Sequence, residues 1–123
     1  MTKSAVLALG EALNAGPPPP GNLATPIFAH GSLVAEMYQP TGVDRQSPHE
    51  RDEIYVVARG TATFLDGDDA GAHTTRDVGP GTVVFVPAGR THRFIGLSDD
   101  VAVWVFFYGP PGGEAAAGQK ATQ

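Results

Sequence analysis

Eight short apolar runs follow one another between residues 25 and 108, each bounded by glycine, proline or a small polar cluster. The first is "TPIFAH", the last is "VAVWVFFY", and the runs recur at intervals of about ten residues. The whole chain has sixteen glycines and eleven prolines, which leaves little room for long helices. Short strands at this spacing are typical of an antiparallel sandwich or a small barrel, so the sequence predicts an all-β fold.

The segments on either side of these runs have a different character. Ser4 to Leu13 predicts a short amphipathic helix, and the four prolines of "AGPPPPG" predict an extended connector after it. The glycine- and alanine-rich end of the chain has too little apolar area to offset its ordering entropy. We therefore predict an N-terminal arm over residues 1–21, one barrel domain over residues 22–110 and a disordered tail over residues 111–123.

Charge and composition exclude several classes of function. The net charge is -5 with a pI near 5.1, and no cluster of basic residues is present, so nucleic acid and anionic membrane surfaces are not expected partners. The chain has no cysteine, which excludes disulfides, thiolate metal ligands and thiol nucleophiles. No apolar stretch is long enough for a secretory signal or a membrane span, and we predict a cytoplasmic protein.

A histidine and a glutamate stand where a polar segment becomes an apolar strand, in "SPHERDEIYVVARG". His49 and Glu53 flank the turn "ERD", and taken alone they would read as an ordinary solvated turn. A further histidine, His92, follows a Pro-x-Gly turn in "GTVVFVPAGRTHRF". In a closed sandwich that distant strand can lie beside the first pair. His30 and His73 are more simply a turn residue and an exposed strand residue.

These residues resemble the two sequence motifs of the cupins. The first cupin motif runs Gly, five residues, His-x-His, three or four residues, Glu, six residues, Gly. The second runs Gly, five residues, Pro-x-Gly, two residues, His, three residues, Asn. Seven positions of this chain fall on those spacings: His49, Glu53, Gly60, Gly81, Pro87, Gly89 and His92. The resemblance implies a double-stranded β-helix, or jelly-roll barrel, with a short N-terminal helix or extended arm.

The chain departs from the cupin pattern at the first histidine of His-x-His, which is replaced by Ser47. The full cupin pattern implies a metal site formed by three histidines and one glutamate. Here the resemblance implies a set of two histidines and one carboxylate, His49, Glu53 and His92, for iron, zinc, manganese or nickel. Ser47 would face the same way as His49 if both lay on one strand. Water held by Ser47, or the amide oxygen of Gln46, would complete the ligand shell.

The resemblance also predicts which side chains face the barrel interior. Glu53, Tyr55 and Val57 should point inward, and Phe94 should share the interior with His92. Tyr55 is the candidate for a hydrogen-bonding or acid–base role in catalysis. The last run, "VAVWVFFY", is apolar on both faces, which predicts a second layer or a homodimer.

The function that the sequence favours is a small metal-dependent enzyme acting on a small organic molecule. A dioxygenase would bind oxygen and substrate at open positions of iron, whereas a lyase, isomerase or cyclase would use the metal as a Lewis acid. The alternative is a non-catalytic cupin module that binds a small ligand or a metal. A third hypothesis is an accessory protein that shapes a reactive intermediate made by another enzyme.

Overall fold

All eight apolar runs form β-strands in the computed structural model, which describes residues 2–68 and 70–115. One short helix, α1 (Leu9–Leu13), precedes them. The strands are β1 (Thr25–His30), β2 (Leu33–Tyr38), β3 (Asp52–Arg59), β4 (Ala62–Gly67), β5 (His73–Val78), β6 (Val83–Val86), β7 (His92–Ile95) and β8 (Ala102–Tyr108). The predicted all-β class and jelly-roll barrel are therefore confirmed.

The strands form two antiparallel sheets that enclose a common interior. The larger sheet has the order β1-β2-β8-β3-β6, and the smaller has the order β5-β4-β7. The pairing of β8 with both β2 and β3 brings the last strand to the centre of the larger sheet. Strands distant in sequence become neighbours in this way, which is how the histidines of two separate motifs can meet.

Strand register decides which side chains fill the interior. On β3 the side chains of Glu53, Tyr55 and Val57 are fully buried, as predicted, while Ile54 and Val56 are partly exposed on the outer face. The register with the neighbouring strand β8 pairs Glu53 with Phe107 and Tyr55 with Val105. The two apolar faces of β8 are thereby distinguished: Val101, Val103, Val105 and Phe107 belong to the interior.

The N-terminal segment covers part of the outer face of the larger sheet. Ala12 of α1 is buried against Met37 and Ala102, with Leu9, Leu13 and Trp104 packed around them. The helix is shorter than predicted, because the backbone of Ala8 is extended and its side chain offers no cap. Part of the outer apolar face of β8 is therefore covered by residues of the same chain.

The predicted disordered tail begins with residues that fold back onto the barrel. The amide of Gly112 donates to the carbonyl of Glu50 at 2.7 Å, and the amide of Glu114 donates to Asp52 at 2.8 Å. These bonds hold residues 111–115 beside the start of β3; residues 116–123 lie outside the described part of the chain. None of the helices in the described ranges has the length and apolar character that spanning a membrane requires.

Candidate metal centre

Three side chains converge at one end of the barrel interior. One nitrogen each from His49 and His92 and one oxygen from Glu53 all lie within 4.8 Å of one another. Nε2 of His92 is 3.0 Å from Oε1 of Glu53, and Nε2 of His49 is 3.7 Å from Oε2. The structure thus brings together the three residues that the two motifs singled out. His73 is an exposed strand residue, as predicted, whereas His30, predicted as a turn residue, is the exposed last residue of β1. Both lie outside this cluster.

Each of the three side chains is positioned by a different part of the fold. Glu53 stands on the interior face of β3, and His92 is the first residue of β7. His49 lies in the loop before β3 rather than on a strand, which corrects the expectation from sequence. The amide of Gly89 donates to the carbonyl of His49 at 2.7 Å, so the loops of the two motifs are tied together.

The ring of His92 is held in the orientation that a metal ligand needs. Its Nδ1 lies 2.8 Å from the carbonyl oxygen of Arg90. Because a carbonyl only accepts, Nδ1 carries the proton, and Nε2 of the neutral ring presents a lone pair to Glu53. Burial lowers the pKa of His92, but the nearby Glu53 carboxylate and the Arg90 carbonyl outweigh it, so the net shift is upward. For His49, burial is the largest cause and the pKa is lowered.

Glu53 is a buried carboxylate that has no well-directed hydrogen bond within the described residues. Its exposed fraction is 1%, and neither oxygen receives a hydrogen bond of acceptable geometry. Burying a carboxylate is costly unless its lost hydration is compensated, and its near neighbours here are the ring nitrogens of His49 and His92. The neighbouring lone pairs belong to the imidazoles of His49 and His92. A cation bound among these two rings and the Glu53 carboxylate would be coordinated by all three side chains. The donor set therefore fits a divalent first-row metal.

Of the two predicted additional ligands, only Gln46 reaches the cluster. Its Oε1 lies 3.2 Å from Nε2 of His49 and 3.2 Å from Nε2 of His92. Ser47 has an exposed side chain at the wall of the adjoining cavity. Ser47 and His49 both precede β3, which begins at Asp52, so strand alternation does not determine the direction of the Ser47 side chain.

The hydroxyl of Tyr55 also reaches this cluster from the interior face of β3. It lies 2.8 Å from Nε2 of His92 and donates to Oε1 of Gln46. Burial, followed by the charges of Glu53 and Asp44, raises the pKa of Tyr55 far above its ordinary value. The raised pKa favours the neutral form of Tyr55, in which the hydroxyl donates a hydrogen bond.

One buried charged residue next to the cluster could not be inferred from the motifs. Asp44 has an exposed fraction of 4%, although it lies in a polar stretch of the loop between β2 and β3. It accepts hydrogen bonds from the Tyr38 hydroxyl, the Phe94 amide and both the backbone and side-chain amides of Gln46. Nothing in the local sequence marks it as buried, because its partners come from β2 and β7.

A cavity of about 340 Å³ adjoins the cluster, and this size suits a small organic molecule. Val105 and Phe107 form an apolar wall, while Glu36 and Arg45 contribute opposite charges. Burial is the largest cause of a raised pKa at Glu36; the charge of Glu53 adds to it, and a hydrogen bond with Asn22 opposes it. Glu36, Val105 and Tyr55 lie side by side across three strands, because Val105 pairs with both of the others.

Comparison with known proteins agrees with this fold. Residues 34–108 match the Cupin_2 family, described as a cupin domain. Over 67 residues the chain is 42% identical to an uncharacterized protein of Streptomyces coelicolor, which covers 54% of this chain and 59% of that protein. Over 87 residues it is 30% identical to glucose-6-phosphate isomerase of Pyrococcus abyssi, which covers 71% of this chain and 46% of the isomerase.

A solved structure is also similar to this chain in fold and in sequence. The DMSP lyase DddQ from Ruegeria pomeroyi DSS-3 superposes with a TM-score of 0.53 at 32% identity, covering 67% of this chain and 41% of the lyase. The chain spans less than two thirds of each of these three proteins. The family match, by contrast, extends over more than half of this chain. The protein described here belongs to the Cupin_2 family of cupin domains.

Proposed function

We propose that this cupin is a metal-dependent enzyme that binds one divalent first-row ion through His49, Glu53 and His92. The observation that carries the proposal is the buried Glu53 carboxylate, which lacks a well-directed hydrogen bond among the described residues and faces two imidazole nitrogens. Iron, zinc, manganese and nickel all accept such a donor set.

The reaction class that we propose is the lyase, isomerase or cyclase type rather than the dioxygenase type. The bound ion would supply Lewis-acid polarisation of a carbonyl or similar oxygen of the substrate. Two similar proteins point in this direction, since one is named a glucose-6-phosphate isomerase and the other a DMSP lyase. Both chemistries rearrange or split a small organic molecule.

The residues of the cavity divide the remaining tasks. Val105 and Phe107 would contact the apolar part of a substrate and exclude water from it. Tyr55, proposed from sequence as catalytic, would donate a hydrogen bond at the cluster. Glu36 is the better candidate for moving a proton, because a half-buried carboxyl with a raised pKa changes protonation closer to neutral pH.

Metal analysis of the protein purified without a histidine tag tests the proposal. We expect about one equivalent of metal in the wild type and little in His92→Ala, since loss of one of three ligands leaves a weak site. His73→Ala is the matched control, because His73 is an exposed strand histidine. Negligible metal in the wild type after reconstitution would contradict metal binding. Full occupancy without turnover of glucose 6-phosphate, DMSP or small carbonyl compounds would favour the non-catalytic module.

A homodimer is proposed as well, through the outer face of β3 and β6. Val83 and Phe85 are 62% and 55% exposed there, and Ile54 and Val56 pair with them in register. A continuous apolar patch of this kind is typical of a protein interface. Light scattering of the wild type and Phe85→Glu tests it, and a monomeric wild type would exclude it. The cytoplasmic location remains a prediction from sequence.

A further inference from the structure

The amide of Gln46 has a defined orientation relative to the metal centre. Its nitrogen, Nε2, donates to Oδ2 of Asp44 at 2.5 Å, so its oxygen is turned toward the two histidines. The Tyr55 hydroxyl donates to that oxygen, and a carbonyl oxygen has a second lone pair. Gln46 therefore presents a neutral oxygen ligand to the same space that His49, Glu53 and His92 surround.

Asp44 is itself held by residues from other parts of the fold. The backbone amide of Phe94 donates to its Oδ2 at 2.8 Å, and the Tyr38 hydroxyl donates to its Oδ1. The backbone amide of Gln46 donates to Oδ1 at 3.1 Å. Both oxygens of Asp44 only accept hydrogen bonds. The Gln46 amide can therefore face Asp44 with its nitrogen but not with its oxygen. Asp44 thereby fixes which end of the amide faces the site.

The separations between the candidate ligand atoms agree with a shared ion. Neighbouring ligands at about 2.1 Å from one ion lie about 3.0 Å apart in an octahedral shell and about 3.4 Å apart in a tetrahedral one. The oxygen of Gln46 is 3.2 Å from each histidine nitrogen, and Oε1 of Glu53 is 3.0 Å from His92.

We propose that Gln46 and Asp44 together replace the first histidine of the cupin motif. The amide oxygen of Gln46 is the fourth protein ligand, and Asp44 is the positioning residue that orients it. The inference rests on the proposed function, since it assigns a further ligand to the same metal. It identifies the loop between β2 and β3, rather than the His-x-His strand position, as the source of that ligand.

Cobalt(II) titration of the full-length protein tests the assignment, with affinity measured by chelator competition and coordination followed by visible absorption. We expect Gln46→Leu to weaken Co²⁺ binding by roughly tenfold to a hundredfold and to change the spectrum, because an oxygen ligand is lost. Ser47→Ala, which alters the neighbouring hydroxyl, should change neither. Gln46 is only partly buried, so thermal unfolding should show that Gln46→Leu still folds.

Exchanging the carboxylate of Asp44 with the amide of Gln46 tests whether Asp44 orients the ligand or only stabilises the fold. Asp44→Asn places an amide donor against other donors, and we expect Co²⁺ affinity to fall by roughly tenfold or more. In the double variant Asp44→Asn/Gln46→Glu, the new amide donates to the new carboxylate, which restores an oriented oxygen. Gln46→Glu alone is the control, because a carboxylate is by itself a stronger ligand than an amide oxygen. If Asp44 orients the ligand, Gln46→Glu should bind Co²⁺ more tightly in the Asp44→Asn background than in the wild-type background, where two carboxylates would face each other; a purely structural role for Asp44 predicts no such preference.

The outcomes distinguish this inference from the proposed function. If Gln46→Leu keeps wild-type affinity and spectrum while His92→Ala loses Co²⁺, the fourth-ligand assignment is overturned and the three-ligand site stands. If the wild type binds no Co²⁺, both are overturned. If Gln46→Glu binds Co²⁺ no more tightly in the Asp44→Asn background than in the wild-type background, the orienting role of Asp44 is overturned. Should Asp44→Asn fail to fold, Gln46→Leu decides the ligand assignment.

Discussion

The hydroxyl of Tyr55 lies 2.8 Å from Nε2 of His92, inside a barrel where both side chains are almost completely buried. Nε2 is also the atom of His92 that faces Glu53. A tyrosine hydroxyl therefore competes for the lone pair that a metal would use. When a metal is bound, the hydroxyl still has the oxygen of Gln46 as an acceptor, so the two roles are compatible.

Removing this hydroxyl should separate its structural role from metal binding. We expect Tyr55→Phe to lower the free energy of unfolding of the metal-free protein by about 1 to 2 kcal/mol, because buried hydrogen bonds are lost. Metal content should stay at the wild-type level, since Tyr55 is not one of the proposed ligands. Urea unfolding and metal analysis of the same preparations measure both effects. A Tyr55→Phe protein that folds but cannot retain metal would make Tyr55 a ligand.

The raised pKa of Glu36 predicts a pH dependence of stability. The folded protein holds the Glu36 proton more tightly than the unfolded chain does, so the folded state carries more protons above the ordinary value of 4.5. Stability should therefore fall as the pH rises from there to the folded pKa. Below both values the side chain is protonated in both states, and it contributes no slope.

Glu36→Gln should remove that part of the pH dependence. We expect the unfolding free energy of wild type to fall relative to that of Glu36→Gln as the pH rises from 4.5 through the folded pKa of Glu36. Metal-free protein is required for the measurement, because metal binding has a pH dependence of its own. Glu50→Gln, at an exposed loop position, provides the control. Parallel curves for wild type and Glu36→Gln would show that the Glu36 pKa is not raised.

The strands and the three motif residues could be predicted because their signals are local or fixed in spacing. Apolar runs ended by glycine and proline define each strand, and strand alternation places Glu53, Tyr55 and Val57 on one face. The direction of β8 could not be predicted, since both of its faces are apolar. Its pairing with β3 decides it, and that pairing depends on the whole sheet.

The fourth candidate ligand illustrates what sequence could not supply. Ser47 occupies the aligned position, but alignment assumes a strand where the chain forms a loop. In that loop the side-chain directions follow from hydrogen bonds rather than from alternation. Asp44, which directs Gln46, is buried by Tyr38 and by Phe94, fifty positions away along the chain. Such burial is a property of the tertiary structure.

Gly60, the last glycine of the first motif, should not tolerate a side chain. Its φ is +76°, and a Cβ there would lie 2.5 Å from Oγ of Ser98 and 2.6 Å from Cα of Val101. Gly81 has a similar φ of +89° but open space around it. We expect Gly81→Ala to cost about 1 to 3 kcal/mol of stability from backbone strain, and Gly60→Ala to cost more. Equal losses in urea unfolding would show that Val101 moves away without cost.

The last prediction concerns the N-terminal segment, which the sequence predicts to be an arm separate from the barrel. Trp104 is the only tryptophan of the chain. On the outer face of the larger sheet, it packs around Met37 together with Leu9 and Leu13. Removing residues 1–16 should leave the interior of the barrel intact, because its core cluster contains none of those residues. It should also expose the apolar outer face to water at about 25 cal/mol per Å².

We therefore expect the shortened protein to fold with a lower melting temperature and with red-shifted Trp104 fluorescence. Val6→Ala, at a side chain that is 90% exposed, should change neither quantity in the full chain. Ala12→Asp should reproduce the shortened protein without any deletion, because a charge at this buried contact detaches the helix. Unchanged fluorescence and melting in both altered proteins would mean that the helix does not cover Trp104 in solution. Complete loss of folding on shortening would instead make the segment part of the barrel's stable unit.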